Sequence, residues 1–231
     1  IEEIDNSVGM IMKAIRENDL DKNTIVVFTS DNGPWLSYGT HSGSTGIYRE
    51  GKGTTWEGGQ RVPCIVWYPM EIKANSEIHN PLMGIDWVPT FASVTKSKLS
   101  NNKIDGKNIW PTLTLQSEEE PHEALFFYYH VNSLHGVRYG DWKMYYPHRY
   151  RTLNGKATTN DGFPVKYDYI DLKSPELYNL KSDPSENLDV YNIFPDIVAK
   201  INSLSDLKRA ELGDDLKGIV GKENRPAGII E

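Results

Sequence analysis

The chain opens on a helical pattern. Ile4, Val8, Ile11, Met12 and Ile15 fall at i, i+4, i+7, i+8 and i+11, which lines them along one stripe of a helix over residues 4–18. A polar loop, 19–23, leads into Ile25, Val26, Val27 and Phe28. That run is apolar and mostly β-branched without alternation, the pattern of a strand covered on both sheet faces. It stops at Asp31, Asn32, Gly33 and Pro34. Helix, short loop and buried strand make half of a βαβ unit, with its preceding strand missing, and the first ninety-odd residues offer about two parallel-type strands. Residues 36–50 carry Gly, Ser, Thr and Tyr with no helical period and read as a loop over the candidate site. A second apolar run, 62–69, is bounded by prolines and reads as a strand. Residues 85–94 read as a short helix with Asp86 as its N-terminal carboxylate and Pro89 in its first turn.

Beyond the polar stretch 96–103 the pattern changes. Residues 124–130, 136–146 and 176–180 are aromatic strand segments separated by Gly, Asp, Asn and Pro turns, which predicts a small antiparallel sheet. From Pro195, the set Ile197, Val198, Ile201, Leu204, Leu207 and Leu212 marks a terminal helix, and Gly213 onward reads as an extended tail. The resulting fold class is α/β, divided into domains 1–97 and 98–231. No repeat or low-complexity tract interrupts it.

Composition narrows the function classes. A chain of 231 residues with 38% hydrophobic content has the length for a sizeable core,. No apolar run approaches the roughly 18 residues of a membrane span. A formal net charge of −7 argues against nucleic acid as the main partner, because a phosphate backbone calls for a concentrated basic surface,. The single cysteine, Cys64, excludes an internal disulfide framework, and in its apolar strand it reads as a packed thiol,. The chain begins at Ile1 just before a helix, and is read as a piece of something longer. It contains no Asn-x-Ser/Thr glycosylation acceptor,.

Candidate chemistry concentrates in two places. Asp31 and Asn32 stand side by side at the carboxyl end of a strand, where ligands bind in open α/β sheets. A carboxylate plus an amide oxygen is the hard-oxygen pair that Ca²⁺ or Mg²⁺ prefers. About twenty residues on, Lys52 sits between Gly51 and Gly53 in a run continuing through Thr54, Thr55, Trp56, Glu57, Gly58 and Gly59. A lysine among glycines can meet an oxyanion that the backbone also approaches closely. His41, on the intervening loop, is either a leaving-group contact or an ordinary surface histidine. His130 and His135 flank a turn of the small sheet that could face the cleft, and read more simply as ordinary turn histidines. Arg49 and Arg61 could pair with an anion but read more simply as partners of Glu50 or Glu57.

In this order, and followed by Arg61 to Pro69, these motifs resemble those of the sulfatase family, the arylsulfatase-type members of the alkaline phosphatase superfamily. The later segments Gly106 to Pro111, Ala124 to Tyr129, Val137 to Lys143 and Leu177 to Asn187 are similar to the family's smaller C-terminal domain. The resemblance implies the end of a mixed-sheet α/β/α catalytic domain, followed by a small antiparallel sheet with a C-terminal helix. It implies a sulfuric ester hydrolase acting on carbohydrate or aryl sulfates. Asp31 and Asn32 match calcium ligands, Asp31 also holding the nucleophile, and Lys52 matches the lysine that binds sulfate and stabilises the leaving oxygen. The nucleophile would be a formylglycine made from Cys or Ser.

The departures matter equally. The Cys/Ser-x-Pro-x-Arg nucleophile motif is absent, as are the earlier Asp-Asp pair and the pocket Lys and His. The expectation is a C-terminal part of a sulfatase, inactive alone, whose partners are a sulfated small molecule or glycan and the N-terminal part of the catalytic domain. A bacterial periplasmic or secreted location is favoured over a lysosomal one. The alternatives are a phosphodiesterase or phosphatase of the same superfamily, and a non-catalytic binding module. Residues 1–94 on their own are expected to expose apolar surface.

Overall fold

Helix α1 (Glu2–Glu17) starts with Glu2, Glu3 and Asp5 in its first turn and ends with Arg16 in its last, charges that complement the helix dipole,. It opens the structure, a computed structural model that describes residues 1–224. There follow strand β1 (Val26–Thr29), a 3₁₀ stretch Leu36–His41, the single turn α2 (Glu57–Gln60), β2 (Cys64–Trp67), α3 (Trp87–Thr95) and the single turn α4 (Trp110–Leu113). Then come β3 (Leu125–Tyr129), β4 (Ser133–Tyr139), β5 (Trp142–Tyr145), β6 (His148–Thr152), β7 (Asp168–Leu172) and β8 (Glu176–Asn179). Helix α5 (Pro195–Leu212) and the short pair β9 (Gly213–Asp214) and β10 (Ile219–Val220) close the described chain. The described chain forms two compact units, residues 1–31 with 63–122, and residues 32–62 with 123–224. Residues 32–62, including Lys52, thus pack with the C-terminal strands instead of with their sequence neighbours.

In the first unit, β1 pairs with β2 antiparallel, from Val26 opposite Trp67 to Thr29 opposite Cys64. This corrects the parallel neighbours expected from the apolar run. Continuous hydrophobicity reports cover on both faces, not strand direction, and among the described residues these two strands pair only with each other,. Cover is also incomplete: Phe28 and Ile65 are exposed, and so are Ile4 and Ile11 on the α1 stripe. Cys64 is exposed as well, not packed as the sequence suggested, because it pairs with Thr29 at the end of a ladder of two strands.

The same unit is fastened by Asp86. Its buried carboxylate accepts hydrogen bonds from the backbone N–H groups of Met83 (2.8 Å) and Lys107 (2.9 Å) and from Nε2 of His122 (2.7 Å). Burial pushes this carboxyl up, but the His122 and backbone donors outweigh it and hold it below the usual aspartate range,. Asp86 therefore does more than start α3. It ties three segments together.

The second unit is built on a four-stranded antiparallel sheet in the order β3-β4-β5-β8. Alternation along its strands divides two layers. Met144 and Leu177 point to one side and join Leu134, Val137, Val198 and Ile201 in a core beneath α5. Tyr145 and Tyr178 point to the other side, where they surround Trp56 together with Tyr150. Strands β6 and β7 form a separate antiparallel ribbon. The α/β class, with its small antiparallel sheet and C-terminal helix, is the architecture observed.

The expected extended tail takes a different form over 213–220. Asp214 in β9 is buried, accepts from Arg209 Nε at 2.9 Å, and receives the backbone N–H groups of Leu134 and Leu216. A buried carboxylate with three donors keeps this Gly- and charge-rich segment in place, which composition alone does not show. The tail beyond residue 224 lies outside the described residues.

Candidate functional site

Lys52 lies on a loop whose path is dictated by glycines. Lys52 N–H donates to the Pro34 carbonyl (2.9 Å), and Gly33 N–H donates to the Gly59 carbonyl (3.0 Å). These two bonds bring the Asn32–Pro34 turn against the lysine loop. The approach leaves no room for side chains. A Cβ on Gly33 would lie 1.8 Å from the Gly58 carbonyl oxygen, and one on Gly59 would lie 2.4 Å from the Thr54 oxygen. Gly53 adds a positive φ of 86°, which favours glycine on conformational grounds as well.

Beneath this loop is a buried polar network. Lys143, from the face of β5 opposite the α5 core, donates from Nζ to Glu57 Oε1 (2.7 Å) and to the Thr55 carbonyl (2.8 Å). Both side chains are almost fully inaccessible. Burial pushes the Glu57 carboxyl up, yet Lys143, then Arg138 and Arg61, hold it below the usual range. Glu186 receives Glu57 N–H on Oε2 (2.9 Å) and a short hydrogen bond from the Tyr145 hydroxyl on Oε1. Burial dominates at Glu186 and raises its carboxyl above the usual range. Arg49 stacks 3.6 Å over Trp56 and donates to the Tyr178 and Tyr150 hydroxyls and the Glu186 carbonyl. Its hydrogen bonds thus go to two phenols and a backbone carbonyl, while Arg61 lies 3.8 Å from Glu57 as expected.

The remaining candidates sit as follows. Asp31 closes the first unit and is exposed, and Asn32, half-buried, donates Nδ2–H to the Gly33 carbonyl at 3.0 Å. His41 is exposed, with Nε2 3.0 Å from the Asn160 carbonyl. A carbonyl only accepts, so this ring nitrogen carries the proton. Asp31 and Asn32 are suitable oxygen donors for Ca²⁺, but six to eight oxygens are needed. Among the described residues no group of three or more His, Cys, Asp or Glu side chains is arranged to hold a metal ion. The pair is at most part of a calcium site.

Two groupings escaped the sequence pattern. Arg151, in β6, donates from Nε at 2.9 Å and also from Nη2 to the Lys52 carbonyl. His135 is buried in β4, not in a turn, and its ring stacks on His148 at 4.0 Å. His148 donates Nδ1–H to the Tyr146 carbonyl at 2.7 Å. Strand alternation could have placed His135 inside, but nothing local pairs it with His148. Among the described residues no helix is long and apolar enough to cross a membrane.

Comparison with known proteins shows which family the chain is similar to. Residues 1–97 match the family model described as Sulfatase, and residues 120–218 match the one described as C-terminal region of aryl-sulfatase. The chain is 32% identical over 214 residues to human arylsulfatase A, covering 89% of this chain and 42% of the relative. It is 34% identical over 201 residues to human steryl-sulfatase, covering 80% and 35%. A solved Bacteroides thetaiotaomicron structure, titled for the metabolism of multiple glycosaminoglycans, superposes with a TM-score of 0.71 at 27% identity, over 90% of this chain and 43% of that one. The chain belongs to the sulfatase family, and it spans well under half the length of the relatives it matches.

Proposed function

We propose that this chain carries the leaving-group side, and part of the calcium side, of a sulfatase active site that hydrolyses carbohydrate or aryl sulfate esters. The observation that supports this most is the anchoring of Lys52. Its backbone N–H and carbonyl are both held, by Pro34 and Arg151, and its loop rests on a buried ionic network. Its ammonium is thereby positioned to stabilise negative charge developing on the bridging ester oxygen, where a preorganised donor counts most. Bound calcium would neutralise sulfate oxygens as a Lewis acid. Asp31 and Asn32 would offer it a carboxylate and an amide oxygen, and Asp31 would also accept a hydrogen bond from the nucleophile. His41 has only Nδ1 left for the leaving group, since Nε2 is bonded to Asn160. These 231 residues hold no Cys/Ser-x-Pro-x-Arg motif, so the formylglycine and the remaining ligands would have to come from other polypeptide.

The test compares this chain with the intact protein that contains it, on 4-nitrophenyl sulfate and on a phosphodiester, each with added Ca²⁺. Sulfate ester turnover by the intact protein alone is expected, with Lys52→Ala lowering kcat about 10²- to 10³-fold, the usual loss for one oxyanion donor. Turnover by the 231-residue chain itself, or a preference for the phosphodiester, would overturn the proposal.

A further inference from the structure

An exposed indole lies beside Lys52. Trp35 is 43% accessible, and its ring is held edge-on by Tyr38, with centroids 5.1 Å apart. Lys52 Nζ lies 5.5 Å from the Trp35 ring centroid and Arg151 Cζ lies 5.9 Å from it. Both are within cation–π range, and the two cations are therefore no more than about 11 Å apart. Among the described residues the contacts of Arg151 are the Lys52 carbonyl and the rings of Tyr167 and Trp35, none of them an anion.

The Arg151 guanidinium is also held in a fixed orientation. Nε and Nη2 both aim at the Lys52 carbonyl, and the Tyr167 ring centroid lies 4.6 Å away. A Cβ on Gly53 would come within 2.3 Å of the guanidinium, so glycine at this position reserves its place. Tyr167 is held in turn, since its hydroxyl accepts the Ser37 N–H at 3.1 Å. Two of five guanidinium donors are engaged, and the rest of the planar fork suits a carboxylate or sulfate.

We propose that Trp35 and Arg151 form a second ligand contact beside Lys52, for a saccharide ring that carries an anionic group in addition to the scissile sulfate. The inference rests on the sulfatase reading and narrows its substrate class. The indole offers a flat apolar surface to the C–H face of a sugar. Lys52 takes the ester sulfate, and the Arg151 fork takes the second anion, in the bidentate geometry that a lysine does not supply. An aryl sulfate without a further charge would leave Arg151 unused.

The experiment uses the intact protein and two oligosaccharide substrates, one bearing a sulfate ester and a neighbouring uronic carboxylate, the other with that carboxylate reduced to the alcohol. The wild type is expected to favour the charged saccharide by about tenfold or more in kcat/KM, the value of one charge-assisted hydrogen bond. Arg151→Gln should bring the ratio close to one, and Arg151→Lys should leave an intermediate ratio. Trp35→Ala should raise KM for both. A wild type without preference, or an Arg151→Gln variant that loses both substrates in equal proportion, would overturn the proposal and leave Arg151 as a support for Lys52 alone. Should no sulfate ester be turned over, the sulfatase reading itself falls. Calorimetric binding of the two saccharides, with and without Arg151→Gln, then decides the contact separately: a preference abolished by the substitution supports it, and equal binding overturns it.

Discussion

Replacing Lys143 by Met tests whether the loop that carries Lys52 is held by charge. Methionine keeps most of the volume of the lysine stem and removes the ammonium. It takes away a 2.7 Å contact to Glu57 and a 2.8 Å contact to the Thr55 carbonyl, both in a site closed to water. Removing one partner of a buried ion pair typically costs about 3–5 kcal/mol, because a desolvated charge is left behind. Two features here place the expected cost at the lower end, about 3 kcal/mol. Arg61 and Arg138 remain 3.8 and 3.9 Å from the other Glu57 oxygen, and the Tyr145 hydroxyl, whose one proton is shared between Glu186 and the Thr55 carbonyl, stays 3.1 Å from that carbonyl. The measurement is urea unfolding followed by circular dichroism, read as a shift in midpoint at constant slope. The companion variant Lys143→Met with Glu57→Gln removes the orphaned charge and should recover at least about 1 kcal/mol relative to additivity, as residues in contact do. A single variant within about 0.5 kcal/mol of wild type, or strictly additive costs, would refute the electrostatic account and leave Lys143 as a packing residue.

Two further predictions follow from buried groups in the same unit. Burial first, then the neighbouring His148 and His130, pushes the His135 imidazole down to about 3. In the unfolded chain a histidine titrates near 6.5, so the folded state is favoured above that pH and loses stability as pH falls toward 3, by up to about 1.4 kcal/mol per unit. His135→Leu should flatten the fall in urea midpoint between about pH 7 and pH 4, and an unchanged profile would disprove the assignment. Asp214→Ala removes the buried partner of Arg209, which keeps only the exposed Asp206 at 3.1 Å, and strands two backbone N–H groups. A loss of about 3 kcal/mol is expected, the lower end for breaking a buried pair because Asp206 remains, with Asp214→Asn losing less, and proteolysis of residues 213–220 should accelerate in step.

The elements whose signals are local were legible in the chain. The α1 stripe, the aromatic strands of the small sheet and the helix starting at Pro195 follow from side-chain periodicity, because each repeat is set by neighbours a few residues away. The Asp31–Asn32 turn and the Lys52 loop were legible for a related reason: glycine, proline and a polar pair in fixed order encode one backbone path. That order also carried the family. Strand direction in the β1–β2 pair was not legible, since an apolar run reports burial on two faces and is silent on orientation. Its incomplete cover, with Cys64 exposed, was equally invisible.

What only the tertiary structure decided are the partners that sequence distance hides. Lys143 meets Glu57 across 86 residues and Arg151 meets the Lys52 carbonyl across 99. No periodicity connects positions so far apart. They are joined because β5 and β6 present alternate side chains to the loop that packs on that face. In the same way the fold turned His135 from a turn residue into a buried stacked ring, and set Arg49 as a cation over Trp56. Residue types and local order determined which chemistry the chain could hold. Which charges are desolvated together, and hence which of them position Lys52, was decided by packing, because burial is a property of the assembled layers and not of any one segment.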